Sequence, residues 1–362
     1  MKHLLTKNNN NEIINKKDLY ILEYIRNELN KTKSKIDCCY KEWESVKKNI
    51  HDYEYVYFSS YRKNNISLIA PVSRSYFKLR EILYDFNINI NNIHNVCNLA
   101  EAPGGFIESL IHLSKDRSIN IYANSLLSVN KSIPIWHNKL KRYKINTIYG
   151  IKKDGDLCDF QNIISMIQKI GRNKCELVTG DGGFDYSNDY SNQETNSLRL
   201  IYSEIFLALN IQKEKGNFVC KIFDTFNIET IQLLYLLNLS YSKVYLYKPK
   251  ISRNSNSEKY IICLDYKGYN QKIVNIMCHS FKNLDLKINV TKIFYNNLLK
   301  FIFNYSIRQI KSINTGIYNI ENNKIKNTPS KRHLKLAIKW CKKYNIKINE
   351  RCIHLNNLYR QP

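Results

Sequence analysis

Two hydrophobic rhythms divide the chain. Between residues 18 and 50 the apolar positions recur at helical spacing, with Leu22, Ile25 and Leu29 on one face and Trp43, Val46 and Ile50 on another, as amphipathic helices require. From about Ser73 to Tyr266 short apolar runs alternate with longer helical patterns. The runs predict strands over 95–100, 119–123, 145–149, 176–181, 217–223, 243–247 and 259–265. Helical patterns fall between most of them, over 106–113, 160–170, 194–212 and 228–237. Such alternation argues for an α/β fold: a mostly parallel, seven-stranded sheet with helices on both faces. After Gly268 the pattern changes again. Thr328-Pro-Ser330 reads as a helix start, and Leu334, Ile338 and Cys341 then form a stripe among Lys335, Lys339, Lys342 and Lys343. The expected organisation is a helical N-terminal extension over 1–60 with its first 15 residues disordered, an α/β domain over 61–268, and a basic, mainly helical extension over 269–362.

Charge sharpens this picture. The net charge is +25, and residues 271–362 carry 18 Lys or Arg against 3 Asp or Glu. That balance favours a polyanionic partner. The plainer alternative is a solvated surface in a Lys-rich composition, since Asn, Ile, Lys and Tyr are abundant while Gly (11) and Pro (6) are scarce. The ten cysteines show no Cys-x-x-Cys and no zinc-ligand spacing, so reduced thiols and no metal are expected. The N-terminus is polar, and no apolar run approaches the ~20 residues of a membrane span. An intracellular, soluble protein without a membrane partner is the expectation.

Two strand ends carry candidate chemistry. Asn98-Leu-Ala-Glu-Ala-Pro-Gly-Gly-Phe106 places a Gly-rich turn between a strand and a helix, where backbone amides can face a nucleotide-like ligand. It lacks the glycine spacing of pyrophosphate binders and the Gly-Lys-Ser/Thr of a P-loop, which argues against NAD and ATP. Asp181 then stands at the carboxyl edge of a second apolar strand, in Asp181-Gly-Gly-Phe184. Lys221 sits inside the otherwise apolar Phe218-Val-Cys-Lys-Ile-Phe223. A lysine there is costly unless its charge is paired or its pKa falls. Snorkelling from an edge strand is the ordinary alternative.

The ordered set Lys78, Asp181, Lys221 and Glu258, together with residues 98–106, resembles the FtsJ (RrmJ-like) RNA 2′-O-methyltransferases. Likeness is greatest to the mRNA cap 2′-O-methyltransferases of eukaryotes and large DNA viruses. It is carried by Gly180-Asp-Gly-Gly-Phe-Asp185, Gly216-Asn-Phe-Val-Cys-Lys-Ile-Phe223, Tyr247-Lys-Pro-Lys-Ile-Ser-Arg253 and the stretch from Asn256 to Gly268. The resemblance implies a Rossmann-like methyltransferase fold, S-adenosyl-L-methionine as cofactor, and the 5′ end of capped mRNA as partner, with other capping or transcription proteins nearby. A viral source would place the protein in host cytoplasm or virions, and a cellular one in the nucleus.

The same resemblance assigns sites. Lys221 is expected as general base on the ribose 2′-OH, with Lys78 beside it lowering its pKa, and Asp181 and Glu258 orienting the two amines. Asn98, Ala100, Glu101, Ala102, Pro103, Gly104, Gly105, Phe106, Ser125, Asp156 and Asp181 are expected around the cofactor. Asn98 and Ser125 stand where bacterial members carry acids, so Asn124 or Ser125 is expected to bind the ribose. Arg74, Lys248, Lys250 and Arg253 are expected to grip RNA phosphates, and Tyr53, Tyr55, Tyr57, Phe58 and Tyr61 are candidates for stacking on the cap guanine. Two other readings keep parts of this sequence: methylation of non-cap RNA, such as ribosomal or transfer RNA, and a non-catalytic RNA-binding scaffold.

Overall fold

A computed structural model describes residues 2–5, 12–114, 119–184, 192–325 and 328–355. Its strands are β1 (Lys2–Leu5), β2 (Asn95–Leu99), β3 (Asn120–Ala123), β4 (Ile145–Thr147), β5 (Cys175–Gly180), β6 (Gln212–Ile222), β7 (Tyr241–Tyr247) and β8 (Lys259–Tyr266). They form one sheet in the order β1-β7-β8-β6-β5-β2-β3-β4. Strands β4, β3, β2, β5 and β6 run parallel to one another. Strand β8 inserts antiparallel between β6 and β7. The seven strands read from the sequence are all present, and the sheet gains an eighth. Residues 2–5, expected to be disordered, instead pair antiparallel with β7, Lys2 opposite Tyr247 and Leu5 opposite Val244. Leu5 is buried there. The polar run of residues 7–11 lies outside the described residues.

Helices cover both faces. On one face α3 (Ser75–Asp85) and α4 (Gly105–Ser114) pack Leu79, Ile82, Phe106 and Leu110 against Val96, Leu177, Val219 and Tyr260. On the other, α5 (Phe160–Ile170), α6 (Gln193–Ile211) and α7 (Ile228–Ser240) bury Met166, Phe206 and Leu234 against Cys97, Val178, Cys220 and Cys263. The strict alternation of Phe218, Cys220 and Ile222 toward one face with Val219 and Lys221 toward the other follows from the two-residue period of a strand. Lys221 therefore emerges on the α3 side, at the carboxyl end of β6, directly opposite Tyr260 of β8.

The flanking segments share the same core. Leu22, Ile25 and Leu29 of α1 (Tyr20–Lys33) join Phe294, Leu298 and Phe301 of the 30-residue α9 (Lys292–Glu321) in the cluster beneath α6 and α7. Trp43 and Val46 of α2 (Tyr40–Asn49) pack with Ile313 of α9. Between β8 and α9 lies α8 (Gln271–Ser280). Ser330 caps α10 (Lys331–Lys343) by accepting the His333 amide, as the sequence anticipated. Trp340 of α10 is buried and donates its indole N–H to Glu81 of α3 at 2.7 Å. Among the described residues no helix is long and apolar enough to cross a membrane.

Candidate active site

Chain direction across the sheet reverses between β2 and β5: one run proceeds β2, β3, β4 and the other β5, β6. Open α/β sheets bind ligands at the carboxyl ends beside such a reversal. The two strands are bridged there by Asn98 Nδ2, which donates to Thr179 Oγ1 at 2.7 Å. The turn after β2 then passes close under its neighbours. Gly104 has φ +107°, and a Cβ at Gly105 would collide with the hydroxyls of Ser73 and Ser75, so side chains are excluded at both. Ala100 also adopts positive φ (48°).

Within this turn Glu101 is buried and its Oε1 accepts the Phe106 amide at 2.5 Å, capping the first turn of α4. Its Oε2 and the Oδ1 of Asn98 are buried without a hydrogen-bond partner among the described residues. Burial, and then the carboxylate of Asp181, push the Glu101 carboxyl well above the usual range. Asn124, at the end of β3, is spent on the fold: Nδ2 donates to Ile148 O at 3.0 Å and Gly155 O at 3.1 Å, and its backbone joins Asn98 and Glu101. It braces three loops and is not left for a ribose, whereas the Ser125 side chain bonds to nothing among the described residues. Asp156 is half-buried, its Oδ1 accepting the Cys158 amide at 2.8 Å.

Four charged side chains meet beside this cradle. Lys78 of α3 donates to Glu258 Oε2 at 2.8 Å, both side chains about one-seventh exposed. Ser252 Oγ donates to the other oxygen of Glu258 at 3.1 Å. Lys221 Nζ lies 2.6 Å from the backbone oxygen of Asp181 and 3.4 Å from its Oδ1. Burial opposes ionisation of Glu258, yet Lys78 and Lys221 outweigh it and hold its pKa at about 2. For Lys221 burial likewise favours the neutral amine, but Asp181, Glu258 and Glu204 prevail and its pKa is raised. This reverses the expectation that Lys78 would lower it. Lys78 is engaged with Glu258, so its charge is largely answered before it reaches Lys221.

Three further contributors are not among the expected site residues. Tyr260, buried, donates its hydroxyl to Asp181 Oδ1 at 3.1 Å. Glu204 of α6, fully buried, accepts the Gly182 amide at 3.1 Å, and a Cβ at Gly180 or Gly182 would strike its carboxyl group. Glu81 of α3 accepts from Tyr247 Oη, Lys250 N and Trp340 Nε1 at 2.6–2.7 Å, tying the Lys-Pro-Lys loop and α10 to the helix that bears Lys78. Of the three, the sequence marks only Glu204, as an acid within the apolar helical run of residues 200–209.

The expected phosphate grips divide. Lys248 is buried, with Nζ donating to Asn256 O, Asn256 Oδ1 and Glu258 O, each at 2.7 Å. It shapes the loop that presents Glu258 and does not face solvent. Arg253 forks onto the buried Glu54 at 2.5 and 2.9 Å, and Arg74 reaches the same carboxylate at 3.2 Å. Both arginines are thereby held in a protein ion pair. Lys250 is exposed and has no ion-pair partner among the described residues. The aromatic candidates mostly belong to a core: Tyr55 is buried and stacks on Phe58 with centroids 4.9 Å apart, and Tyr57 packs on Phe77. Of these five only Tyr61 is largely exposed. Among the described residues no cluster of His, Cys, Asp and Glu is arranged for a metal.

A family model described as FtsJ-like methyltransferase matches residues 71–266. A relative from Trypanosoma cruzi named cap-specific mRNA (nucleoside-2′-O-)-methyltransferase 1 is 33% identical over 46% of this chain and 46% of its own length. An Autographa californica nuclear polyhedrosis virus protein named cap-specific mRNA (nucleoside-2′-O-)-methyltransferase is 33% identical over 61% of this chain and 86% of its own. A Caenorhabditis briggsae protein named inactive cap-specific mRNA (nucleoside-2′-O-)-methyltransferase 1B is 32% identical over 41% of this chain and 18% of its own. The chain spans about half, or less, of the length of the first of these cellular relatives and of the last.

Proposed function

This chain belongs to the FtsJ-like methyltransferase family, and we propose that it transfers a methyl group from S-adenosyl-L-methionine to a ribose 2′-OH at the 5′ end of capped mRNA. One observation carries the catalytic reading: Lys78, Asp181, Lys221 and Glu258 converge in two ion pairs at the carboxyl ends of β5 and β6. Overall identity alone would not suffice, since a relative named inactive is about as similar as those named as enzymes.

The residues of the cradle fit a cationic, phosphate-free cofactor. Glu101 keeps one buried oxygen without a partner, and Asn98 another, where the ammonium of a cationic cofactor would donate. Gly104 and Gly105 clear the turn, Ala100, Ala102 and Pro103 give it apolar walls, Phe106 anchors its end in the core, and Ser125 and Asp156 offer polar groups for the ribose and adenine. The bound cofactor supplies an electrophilic methyl on a positively charged sulfur.

The protein's part is positioning and proton removal. Neutral Lys221 accepts the 2′-OH proton as the oxygen attacks. Asp181 and Glu258 hold the two amines apart in fixed directions, Tyr260 fixes the Asp181 carboxylate, and Lys78 steadies Glu258. Holding the oxygen in line accounts for much of the acceleration, and proton transfer contributes about 10²–10⁴-fold. Lys250, exposed beside this loop, is the remaining candidate for a phosphate contact near the reacting ribose.

The decisive experiment supplies labelled S-adenosylmethionine with N7-methylguanosine-capped, unmethylated-capped and uncapped RNA, then digests the products. Label on the 2′-oxygen of the first or second nucleotide, and only with a cap, is the expected result. Equal labelling of uncapped RNA would move the activity to other RNAs. RNA binding without any transfer would leave a scaffold.

A further inference from the structure

An open groove of about 970 Å³, lined by none of the charged quartet, runs between residues 60–68 and 342–351. Its floor is built by pairing these two segments. Ser67 and Ile348 form an antiparallel bridge, Leu68 N donates to Lys347 O at 2.8 Å, and Asn349 N donates to Ile66 O at 2.8 Å. Beneath them Ile66, Tyr344 and Ile346 are buried in a cluster centred on Trp340. The walls therefore rest on a fixed base.

The rim is cationic. Arg62, Lys63, Lys342, Lys347 and Arg351 line the groove and are exposed, against one acid, Glu350. None of the five forms an ion pair among the described residues, while nearby Lys343 is paired with Asp85 and Arg332 with Asp52. Tyr61, 57% exposed, stands among them. Unpaired cations beside an exposed ring match a single-stranded nucleic acid, which combines a phosphate track with bases that stack on aromatic faces. An acidic peptide would use the charges but has no call on the ring.

The groove is also coupled to the catalytic helix. Arg80 of α3 donates to Tyr344 O at 3.2 Å and Asn345 O at 3.1 Å, and Arg74 at the head of α3 donates to Tyr57 O at 2.6 Å. Lys78 lies between these two arginines on the same helix. The 342–351 wall is thus anchored to the element that carries one member of the quartet, and the same helix holds Tyr57, three residues before the other wall begins.

We propose that this groove binds the single-stranded RNA body downstream of the methylated nucleotide, through phosphates and one stacked base. The proposal rests on the RNA methyltransferase reading for its choice of nucleic acid, and its test separates the two. The triple variant Lys63→Ala, Lys347→Ala, Arg351→Ala alters only exposed side chains, and an unchanged melting temperature verifies its fold. Binding of a labelled uncapped 20-nucleotide RNA is measured against salt, with poly-glutamate as competitor. Loss of three phosphate contacts should lower the slope of log K on log salt by roughly 2 and the affinity by about tenfold. Transfer to a capped dinucleotide should be unchanged, while KM for a capped 20-mer rises about tenfold. Tyr61→Ala should weaken RNA binding without altering the salt slope. An unchanged slope and unchanged long-substrate KM would overturn the groove assignment, as would retained RNA affinity with lost poly-glutamate binding. Wild-type protein that binds the RNA in this groove but transfers no methyl would sink the enzymatic reading and leave the groove standing.

Discussion

Lys221 and Asp181 meet twice: the ammonium lies 2.6 Å from the Asp181 backbone oxygen and 3.4 Å from its carboxylate. The first contact fixes where the amine points, and the second helps hold it charged. Burial alone would favour the neutral amine, but Asp181, Glu258 and Glu204 together raise its pKa above the usual lysine value of 10.5. A general base must be neutral to act. In the RNA-free protein the reactive form is therefore scarce at neutral pH, and kcat/KM should climb about tenfold per pH unit from neutrality to pH 9 or beyond. Asp181→Asn removes the foremost carboxylate, so its profile should level off at lower pH, with a lower ceiling. A wild-type profile already flat below pH 8 would contradict Lys221 as the base.

Glu101 offers a test that needs no turnover. Burial and Asp181 keep its carboxyl protonated more than usual, and one oxygen is unpartnered. Arrival of a cationic cofactor should favour the carboxylate and expel the proton. Calorimetry of S-adenosylmethionine binding should then show heats that vary with the ionisation enthalpy of the buffer, reporting proton release. Glu101→Gln keeps an acceptor for the Phe106 amide but loses the charge, and should weaken cofactor binding by roughly 10- to 100-fold, the worth of a charged hydrogen bond. Buffer-independent heats in the wild type, or undiminished affinity in the variant, would remove Glu101 from the cofactor site.

The strands were legible because each is a short apolar run bounded by polar residues, and all seven emerge within a few residues of their expected places. The eighth was not: Lys2-His-Leu-Leu5 is too short for periodicity to register, and β7, its partner, is nearly 240 residues away. The quartet was legible through the family resemblance that its ordered residues carry, and Lys221 also through its place inside an apolar strand. What surrounds it was not. Glu81 looks like an ordinary helix acid until the fold buries it, Glu204 stands out only as an acid within an apolar helix, and Arg74, Arg253 and Lys248 look like free cations until Glu54, Asn256 and Glu258 are seen to hold them. Charge counts show how many cations a chain has, and only packing shows which remain available.

Lys33 ties α1 to the strand ends that bear the quartet. It donates to Asp224 at 2.7 Å, Lys259 reaches the same carboxylate at 3.2 Å, and all three side chains are at most 8% exposed. Burial opposes ionisation of Asp224, but the two lysines hold its pKa at about 2. Because that value lies below the unfolded one, the stabilisation is complete above about pH 4 and is lost as pH falls toward 2. Lys33→Met should destabilise the fold at pH 7 by about 3 kcal/mol, the scale for breaking a buried pair. In urea titrations the gap between variant and wild type should narrow below pH 4. A gap that is absent at pH 7, or constant down to pH 2, would show that Lys33 is not a counter-charge of Asp224.

Glu204 should set an opposite dependence. Burial raises its pKa to about 8, against the pull of Cys220, Lys221 and the Gly182 amide. A folded value above the unfolded 4.5 means that its contribution is fully present below about pH 4.5 and is lost as pH rises through 8. Glu204→Gln preserves the neutral shape and the acceptor for Gly182, but cannot ionise. The stability of the wild type should therefore fall relative to the variant between pH 5 and 9, by on the order of a few kcal/mol, whereas at pH 5 the two should nearly coincide. Melting temperatures across that range supply the measurement, and parallel curves would mean that the buried carboxyl does not titrate there. The same variant probes function through geometry: Gly182 follows Asp181 directly, so an acceptor retained beneath it should keep the Asp181 carboxylate aimed at Lys221. Glu204→Ala removes that acceptor and opens a cavity, and should lower kcat while Glu204→Gln largely preserves it. Equal losses in both variants would assign Glu204 an electrostatic role on Lys221 instead of a positioning role under Gly182.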